Sequence, residues 1–490
     1  MTDENPADQL MKRRKFLLCT GASAGTTLLA GCSGGQDETP TAEQPTATPT
    51  ETPAETPTET PTPEETETPV QEETPTETEP SLQEQYPQLS ILSPDPENAQ
   101  AANRVTYTKS RTDREAHYIR NHYPSPSIDI DEWSVSLTGA VGEEVELSMD
   151  EIKNDYSTRT ITHTMQCSGN GRSYFDPQVG GNQWSFGAVG NAAWTGSPLS
   201  EILEAYGAET GDGMWLSVMG GDNPEGKDVF ARSIPMEKVM DNVLLAYRMN
   251  GEPMTPQHGY PVRLLVPGWY GNNNVKWVKR MHVMDMMLFG NEWEEPGAPE
   301  DGQRTYTHWQ QYSYRIFPQG TSANHNRQIE TFDTREQMES DEVTHPYMYD
   351  QLVKSLIGHP GEGETVETNP AGQIEVVGVA WAGDDAVDTV EVSADGGESW
   401  GEAEFFGPSR SDYSWRLFRY MWTPDSAGEY DLVSRATDNR DFQQPATVSA
   451  PDDDASEEAS ITDDQYPWNT KGYANTAYMP HGVSVTVESS

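Results

Sequence analysis

Residues 36–80 cannot contribute to a folded core. They are almost entirely Thr, Pro and Glu, with thirteen acidic residues, no Lys or Arg and hardly an apolar side chain. Such a segment cannot bury enough apolar surface to offset the entropy lost on folding, and its charges repel one another. The composition predicts a disordered, extended stalk over residues 33–85.

The residues before the stalk have the layout of a twin-arginine export signal. Residues 13–18 read Arg-Arg-Lys-Phe-Leu-Leu, and a small-residue apolar run continues to Ala30. This run is too short and too rich in Gly, Ala and Thr to predict a spanning helix. It ends Leu-Leu-Ala-Gly-Cys, which resembles a lipoprotein processing box. Residues 1–32 therefore predict export and anchoring to the outer face of the cytoplasmic membrane through lipidated Cys32; an uncleaved anchor is the alternative.

The body that follows is strongly acidic. The formal net charge is −49, and subtracting the thirteen stalk acids leaves −36 on the rest of the chain. This charge argues against nucleic acid and anionic membrane surfaces as partners. It resembles the surfaces of proteins from very salty habitats, where ions screen the repulsion, and so indicates a halophilic source.

About 400 residues remain after the stalk, enough for two domains with sizeable cores. Between residues 86 and 343, short strands such as 133–137 alternate with helical stretches such as 198–206, without a regular strand–helix–strand rhythm. This pattern predicts an α+β domain.

The texture changes over residues 344–490. Strands are predicted at residues 373–381, 387–393, 415–420, 428–436 and 483–487, with a hairpin turn at residues 395–397. The spacing is typical of an all-β immunoglobulin-like sandwich. The acidic residues 451–464 are predicted to form a surface loop.

Cys167 is the only cysteine outside the signal region, so a disulfide framework is excluded. A single thiol can be an inert buried side chain, a nucleophile with a nearby base, or a soft metal ligand. The following Ser-Gly-Asn-Gly allows a tight turn close to a bulky group. No CxxC or HExxH spacing is present, so a metal here should arrive already chelated by a cofactor.

Residues 165–172, Met-Gln-Cys-Ser-Gly-Asn-Gly-Arg, resemble the cysteine loop of the sulfite oxidase family of molybdopterin enzymes. Further family motifs follow in the family's order over most of the body, from about residue 103 to residue 487. They are Arg-Asn-His-Tyr-Pro-Ser-Pro at 120–126, Gly-Gly-Asp at 220–222, His-Gly-Tyr-Pro-Val-Arg at 258–263, Asn-Val-Lys-Trp at 274–277, His-Trp-Gln-Gln-Tyr-Ser-Tyr-Arg at 308–315, and Trp-Asn-Thr-Lys-Gly at 468–472.

The resemblance implies one molybdenum–molybdopterin per chain, with the Cys167 sulfur as a molybdenum ligand. It implies a catalytic pocket formed by Arg120, Arg172, Trp184, Tyr314 and Lys471. It implies cofactor contacts from Ile119, Arg120, Asn121, His122, Tyr123, Asp222, His258, Arg263, Asn274, Val275 and Lys276. Two arginines can clamp an oxyanion with forked hydrogen bonds, although each alone is as often a surface ion pair.

The implied reaction is oxidation of sulfite to sulfate by oxygen-atom transfer at molybdenum. The same cofactor acting as a reductase on nitrate-like or sulfoxide substrates is the alternative within the enzymes. A cofactor-free cell-surface binding module is the alternative from another class.

Two departures from the family pattern weaken the substrate assignment more than the cofactor assignment. Gly171 replaces an arginine, and Lys471 stands where animal members have an arginine; lysine cannot form the forked contact. No haem module is recognisable, so electrons are expected to pass to an external copper protein or cytochrome. The C-terminal resemblance implies a homodimer.

Overall fold

A computed structural model describes residues 80–222, 230–285, 287–288, 310, 314–315, 347–449, 464–469 and 471–488. These residues belong to one compact unit, Pro80–Ser490. No helix in the described part of the chain is long and apolar enough to cross a membrane. The signal, most of the stalk, the predicted domain boundary at residues 343 and 344, and nearly all of the predicted acidic loop lie outside the described residues.

The described chain begins with one capped helical turn, Leu82–Gln85 (α1). The Ser81 backbone N–H donates to the Glu84 carboxylate at 2.8 Å, and the Ser81 hydroxyl accepts from the Glu84 N–H at 3.4 Å. This reciprocal pair is a capping box, which stabilises a helix start. The last residues of the predicted stalk are therefore structured. Three antiparallel strands follow, Leu89–Pro94 (β1), Glu97–Ala101 (β2) and Ile119–Arg120 (β3).

Two five-stranded sheets form the rest of the first part. The first is antiparallel and contains Arg159–Gln166 (β6), Val189–Pro198 (β7), Leu244–Met249 (β10), Glu252–Pro253 (β11) and Arg263–Leu265 (β12), in the order β11-β10-β7-β6 with β12 also on β10. The second contains Ser134–Gly139 (β4), Val145–Ser148 (β5), Trp215–Gly220 (β8), Ala231–Pro235 (β9) and Val278–Met284 (β13), in the order β5-β4-β13-β8-β9.

Short helices pack on these sheets: Met149–Asn154 (α2), Leu199–Ala205 (α3) and Met236–Asn242 (α4). Side chains from both sheets and all three helices share the largest apolar cluster. α3 begins directly after Pro198 and confirms the helix predicted over residues 198–206. Single 3₁₀ turns connect elements at Arg104–Thr108, Arg114–Ala116, Arg172–Tyr174, Pro256–His258, Gly271–Asn273 and Met479–His481. The sheets and helices together give the expected α+β domain.

The C-terminal part is a sandwich of two sheets, as predicted. One contains Lys354–His359 (β14), Ile374–Trp381 (β16), Glu404–Phe406 (β19) and Arg416–Trp422 (β20), in the order β14-β16-β20-β19. The other contains Thr365–Val366 (β15), Val387–Ser393 (β17), Gly401–Glu402 (β18), Gly428–Asp438 (β21) and Val483–Val487 (β24), in the order β15-β24-β21-β17-β18. A separate pair joins Thr447–Val448 (β22) to Gln465–Tyr466 (β23).

The connection between β17 and β18 is longer than the tight hairpin turn that was predicted at residues 395–397. The Asp395 carboxylate accepts hydrogen bonds from the N–H groups of Glu398 and Ser399 at 3.0 and 2.9 Å. These bonds organise residues 394–400 into a wider loop before β18 begins at Gly401. Side-chain oxygens of Asp commonly cap turns in this way, so the glycines alone did not determine the turn length.

The sandwich is bonded to the last residues of β6, the strand that leads into the cysteine turn. The Trp415 N–H donates to the Thr164 hydroxyl at 2.7 Å, and the Gln351 amide donates to the Thr164 carbonyl at 2.7 Å. The Trp381 indole donates to the Gln166 side-chain oxygen at 3.0 Å. All these groups are buried, so each bond satisfies an atom that would otherwise lose its hydration without compensation.

Replacing Phe418 should test how much of the stability comes from the sandwich core. Phe418 is fully buried, and Phe418→Ala should lower the free energy of unfolding by about 3–5 kcal/mol because it leaves a cavity. Phe405→Ala, at a half-buried position beside the same cluster, is the matched control and should cost clearly less. Urea unfolding followed by circular dichroism measures both, and equal losses would contradict this description of the core.

Candidate active site

A cavity lies beside the end of β6, with about 740 Å³ of empty space that includes open solvent at its mouth. Nine of the residues predicted to form the site line it: Arg120, His122, Cys167, Asp222, His258, Arg263, Asn274, Lys276 and Tyr314. They come from six separate stretches of sequence, so the fold brings together what the motifs only suggested. Aromatic and aliphatic atoms fill the gaps between these polar groups, as is usual for ligand sites.

Cys167 is the first residue after β6 and is 7% exposed. Its N–H extends the pairing of β6 with β7 by donating to the Ala188 carbonyl at 2.9 Å. The Gly169 N–H then points at the Cys167 sulfur at 3.4 Å, and the Asn170 N–H donates to the Cys167 carbonyl at 3.0 Å. An N–H aimed at sulfur can donate a hydrogen bond to it, and cysteine binds metals as the thiolate.

Gly171 closes this turn, which we call the cysteine turn, residues 167–171. Its φ of +92° lies in the left-handed region that residues with a side chain rarely adopt. A side-chain carbon here would also lie 3.1 Å from the His481 ring nitrogen Nε2. The backbone conformation therefore favours glycine, and a side chain here would also need His481 to shift by a few tenths of an ångström.

Arg263 forms the cationic floor of the cavity. It is 4% exposed, and its Nη1 and Nη2 donate to the carbonyls of His258 and Asn274 at 2.9 and 3.1 Å. Its guanidinium lies 4.9 Å from the ring centre of Trp194, and its Nε has no hydrogen-bond partner in the described part of the chain. Burial lowers the pKa of Arg263 to about 10, so the group stays charged at neutral pH.

Two buried histidines stand beside Arg263. The rings of His117 and His258 lie edge to face, 5.4 Å apart, and His258 Nδ1 is 2.8 Å from the Thr255 hydroxyl. Burial lowers the pKa of His117 to about 4 and that of His258 well below its usual value. Both rings are thus neutral at pH 7. The Nε2 of His117 has no hydrogen-bond partner among the described residues.

Lys276 and Asp222 form a further polar pair on the cavity wall. The Lys276 ammonium donates to the Asn121 side-chain oxygen and to the Gln257 carbonyl, the latter at 2.8 Å. Burial lowers the pKa of Lys276 well below its usual range, and it raises the pKa of Asp222 to about 7. The mutual attraction of the two charges opposes both shifts, but the loss of hydration is the larger effect for each.

Tyr314 and Arg120 also line the cavity. Tyr314 is 5% exposed and stacks on Tyr473 at 4.7 Å between ring centres. The guanidinium of Arg232 lies 5.4 Å from the Tyr314 ring. Arg120 is half-buried, and its Nη1 donates to the Asn121 carbonyl. A phenol and a guanidinium can both donate hydrogen bonds to an anion bound in the cavity.

Two family models match the chain. An oxidoreductase molybdopterin-binding domain covers residues 122–293, and a Mo-co oxidoreductase dimerisation domain covers residues 345–451. Human mitochondrial sulfite oxidase is 33% identical over 380 residues, which is 74% of this chain and 63% of that protein. The chain belongs to the sulfite oxidase family of molybdopterin oxidoreductases.

Other members of the sulfite oxidase family match over similar lengths. Rat mitochondrial sulfite oxidase is 31% identical over 82% of this chain and 66% of its own length, and chicken sulfite oxidase is 28% identical over 80% and 77%. The chain thus spans about two thirds of the mammalian relatives. The crystal structure of the sulfane dehydrogenase SoxCD from Paracoccus pantotrophus matches with a TM-score of 0.56 at 24% identity, over 81% of this chain and 88% of that one, and supports the fold.

The cavity suits the cofactor that the family binds, molybdopterin. Three buried polar atoms lie on cavity residues without a hydrogen-bond partner in the described structure: His117 Nε2, Asp222 Oδ1 and Arg263 Nε. Buried atoms of this kind are rare unless a ligand or water satisfies them. A polar pterin bearing a phosphate offers both donors and acceptors to such a set. Among the described residues, no cluster of three His, Cys, Asp or Glu side chains could hold a bare metal ion.

Three of the residues predicted for catalysis, Arg172, Trp184 and Lys471, do not line this cavity. Arg172 turns behind the cysteine turn, where Nε donates to the Lys471 carbonyl at 2.9 Å and Nη1 to the Asn182 carbonyl at 3.0 Å. Two of the three guanidinium nitrogens of Arg172 thus donate to backbone carbonyls, and only Arg120 of the predicted pair lines the cavity. Trp184 is fully buried in the apolar cluster that also contains Cys167.

Four of the predicted cofactor residues lie just behind the cavity wall. Ile119 and Val275 are fully buried in apolar clusters. Asn121 donates to Glu97 and Ser125, at 3.0 and 2.8 Å, and accepts from Lys276. Tyr123 lies edge to face on His122 at 4.4 Å. His308 and Trp309 of the motif before Tyr314 lie outside the described residues.

No role was predicted for the other residues of the cavity wall: His117, Tyr118, Met165, Ser168, Phe230, Gln257, Gly271, Asn272 and Trp277. Met165, Ser168 and Trp277 belong to the motifs, and Tyr118 and Gln257 directly adjoin a predicted site residue. Residues next to a motif residue in a turn can line the same cavity, and that proximity is the signal by which Gln257 could have been found. His117 lies before β3, and nothing in its local pattern indicated burial beside His258.

Asp222→Asn should change how the stability of the cofactor-free protein depends on pH. Because burial raises the pKa of the folded carboxyl to about 7, the unfolded chain loses this proton near pH 4 and the folded one only near pH 7. The wild type should therefore lose stability relative to the variant as pH rises from about 4 to about 7, by up to about 4 kcal/mol.

Urea unfolding at pH 5, 6 and 8 measures this difference. Asp131→Asn, at an exposed position, is the matched control and should show a difference from the wild type that hardly varies with pH. A constant difference for Asp222→Asn as well would rule out a buried neutral carboxyl at this position.

Proposed function

We propose that the protein oxidises sulfite to sulfate at a molybdenum–molybdopterin cofactor and passes the electrons to an external carrier. The balanced reaction converts sulfite and water into sulfate, two protons and two electrons. The observation that carries the proposal is one cavity lined by the Cys167 thiol, by Arg120 and Tyr314, and by the cationic floor around Arg263. Family membership supports the cofactor, and the sulfite oxidases among the relatives support the substrate.

The chain offers a distinct group for each part of the cofactor. Arg263, Lys276 and the neutral His258 would hold an anionic phosphate, because a charged guanidinium and an ammonium can donate to it. The unpartnered oxygen of Asp222 would accept from a pterin N–H. The Cys167 thiolate would bind the metal as a soft donor. When bound, molybdenum supplies oxygen-atom transfer and accepts two electrons.

Arg120 and Tyr314 would bind and orient the oxyanion. The body of the protein carries a large negative charge, so an anion would be repelled from most of its surface. A guanidinium in a partly enclosed cavity produces a local attraction that solvent screens only weakly. The Tyr314 hydroxyl would donate to the anion or relay the proton released from water. Arg172, Lys471 and Trp184 do not line the cavity, so they would act on the site indirectly, through the residues that they contact.

The remaining parts of the proposal concern the setting of the enzyme. The twin-arginine sequence supports export of a folded protein with its cofactor, and the box ending at Cys32 supports a lipid anchor on the outer membrane face. The dimerisation domain at residues 345–451 supports a homodimer. A copper protein or a cytochrome at the cell surface would accept the electrons.

Cys167→Ser should abolish turnover without unfolding the protein. A hydroxyl is a poor ligand for a soft metal centre. Loss of a residue that only hydrogen-bonds a metal ligand can lower activity roughly 100-fold, so loss of the ligand itself should lower kcat by more than that. Ser173→Ala, a half-buried position just beyond the same turn, is the control and should keep activity. Sulfite-dependent reduction of ferricyanide, molybdenum content and thermal melting are measured together. Full activity in Cys167→Ser would contradict the proposal.

Arg120→Met should raise the KM for sulfite by about 10- to 100-fold, the loss expected for a charge-assisted hydrogen bond, with a smaller change in kcat. Arg159→Met removes an exposed arginine from β6 and should change neither constant. The same preparations should be assayed for nitrate and sulfoxide reduction with a low-potential donor. Faster turnover in that direction than with sulfite would favour the reductase alternative. Tobacco nitrate reductase, which is 35% identical over 37% of this chain, is a relative with that kind of activity in its name.

A further inference from the structure

A short segment near the end of the chain holds the backbone of the cysteine turn. We call residues 471–475 the C-terminal strap. The Ala474 N–H donates to the Ser168 carbonyl at 2.7 Å, and the Asn475 side-chain amide donates to the Gly171 carbonyl at 3.0 Å. The cysteine turn is thus bonded twice to residues about 300 positions later in the sequence.

Asn475 is itself fixed in place from two sides. It is fully buried; its side-chain oxygen accepts from the Ala477 N–H at 3.0 Å, and its carbonyl accepts from the Lys354 ammonium at 2.7 Å. Lys354 is the first residue of β14 and is also fully buried. A buried lysine loses its hydration, so a bond to a carbonyl at this position is difficult to replace with water. Asn475 therefore has little freedom to move relative to the sandwich.

The bond to Gly171 bears on the Cys167 sulfur through the shape of the turn. The Arg172 N–H donates to the Gly169 carbonyl at 2.9 Å, and the Gly169 N–H points at the sulfur. Gly171 could adopt other backbone conformations at little cost because it has no side chain. The bond from Asn475 removes that freedom from the residue where the turn is most flexible.

We propose that Asn475, held by Lys354, is a positioning residue for Cys167. It fixes the Gly171 carbonyl and thereby the direction in which the cysteine turn presents its sulfur to the cavity. The inference rests on the proposed function only in that Cys167 is taken to bind the cofactor. It makes the sandwich part of the active-site framework, since β14 carries Lys354 and the strap follows β23 in the chain.

Asn475→Leu tests the inference in the full-length cofactor-free protein. The variant keeps the size of the side chain but cannot donate to Gly171. Alkylation of Cys167 by iodoacetamide, followed by mass spectrometry of its peptide, separates this thiol from Cys19 and Cys32. The rate should rise about tenfold, the change in local opening expected for the loss of one buried hydrogen bond.

Asn469→Leu is the matched control. Asn469 is equally buried and holds the strap internally by accepting from the Tyr473 N–H at 2.9 Å and donating to the Tyr473 carbonyl at 3.0 Å. Its alkylation rate should rise clearly less than that of Asn475→Leu, because its bonds lie within residues 469–473 and act on the cysteine turn only through the peptide group of Ala474. An equal rise in both variants, or no rise in Asn475→Leu, would overturn the assignment to Asn475.

Lys354→Met provides a second variant if Asn475→Leu does not fold. It removes a buried amine without leaving a large gap, and the Cys167 alkylation rate should again rise severalfold; an unchanged rate would overturn the inference.

In the molybdenum-loaded enzyme, the paramagnetic resonance signal of the partly reduced metal should shift more in Asn475→Leu than in Asn469→Leu. Absence of sulfite oxidation in the wild type would refute the proposed function but leave the alkylation result standing.

Discussion

The loss of hydration by the cationic and imidazole groups around one cavity is the constraint on which the site depends. Arg263 is buried and Lys276 half-buried, with carbonyl and amide oxygens as their hydrogen-bond partners, and the neutral rings of His117 and His258 are buried beside them. Removing such charges from water costs several kcal/mol each unless an opposite charge offsets it. An anionic cofactor would supply the opposite charge, so its binding should also stabilise the folded protein.

The sheets of the first part of the chain and the C-terminal sandwich together hold these groups in place. The first part of the chain provides the cavity floor, and the sandwich fixes the end of β6 through Thr164 and Gln166. The bonds between them are buried and link residues far apart in sequence. Rigid support of this kind keeps a metal ligand and an anion site in fixed geometry, which is what a reaction at a bound cofactor requires of the protein.

Local pattern was enough to predict many of the strands, but not the direction of every side chain. The strands Val387–Ser393 and Val483–Val487 follow the alternation of apolar residues, whereas the role of Cys167 was predicted from the resemblance of residues 165–172 to a family motif. Arg172 could not be placed in this way. Its orientation depends on the carbonyls of Asn182 and Lys471, the second of which lies 299 residues away. Burial of His117 likewise depends on contacts that no local period encodes.

The distance in sequence between the strap and the cysteine turn has a consequence for synthesis. A ribosome that has released the whole first part of the chain has not yet made Ala474 or Asn475, so the carbonyls of Ser168 and Gly171 still lack their final partners. The backbone of the turn that bears the thiol can therefore reach its final hydrogen bonding only after residues about 300 positions further along the chain have been made.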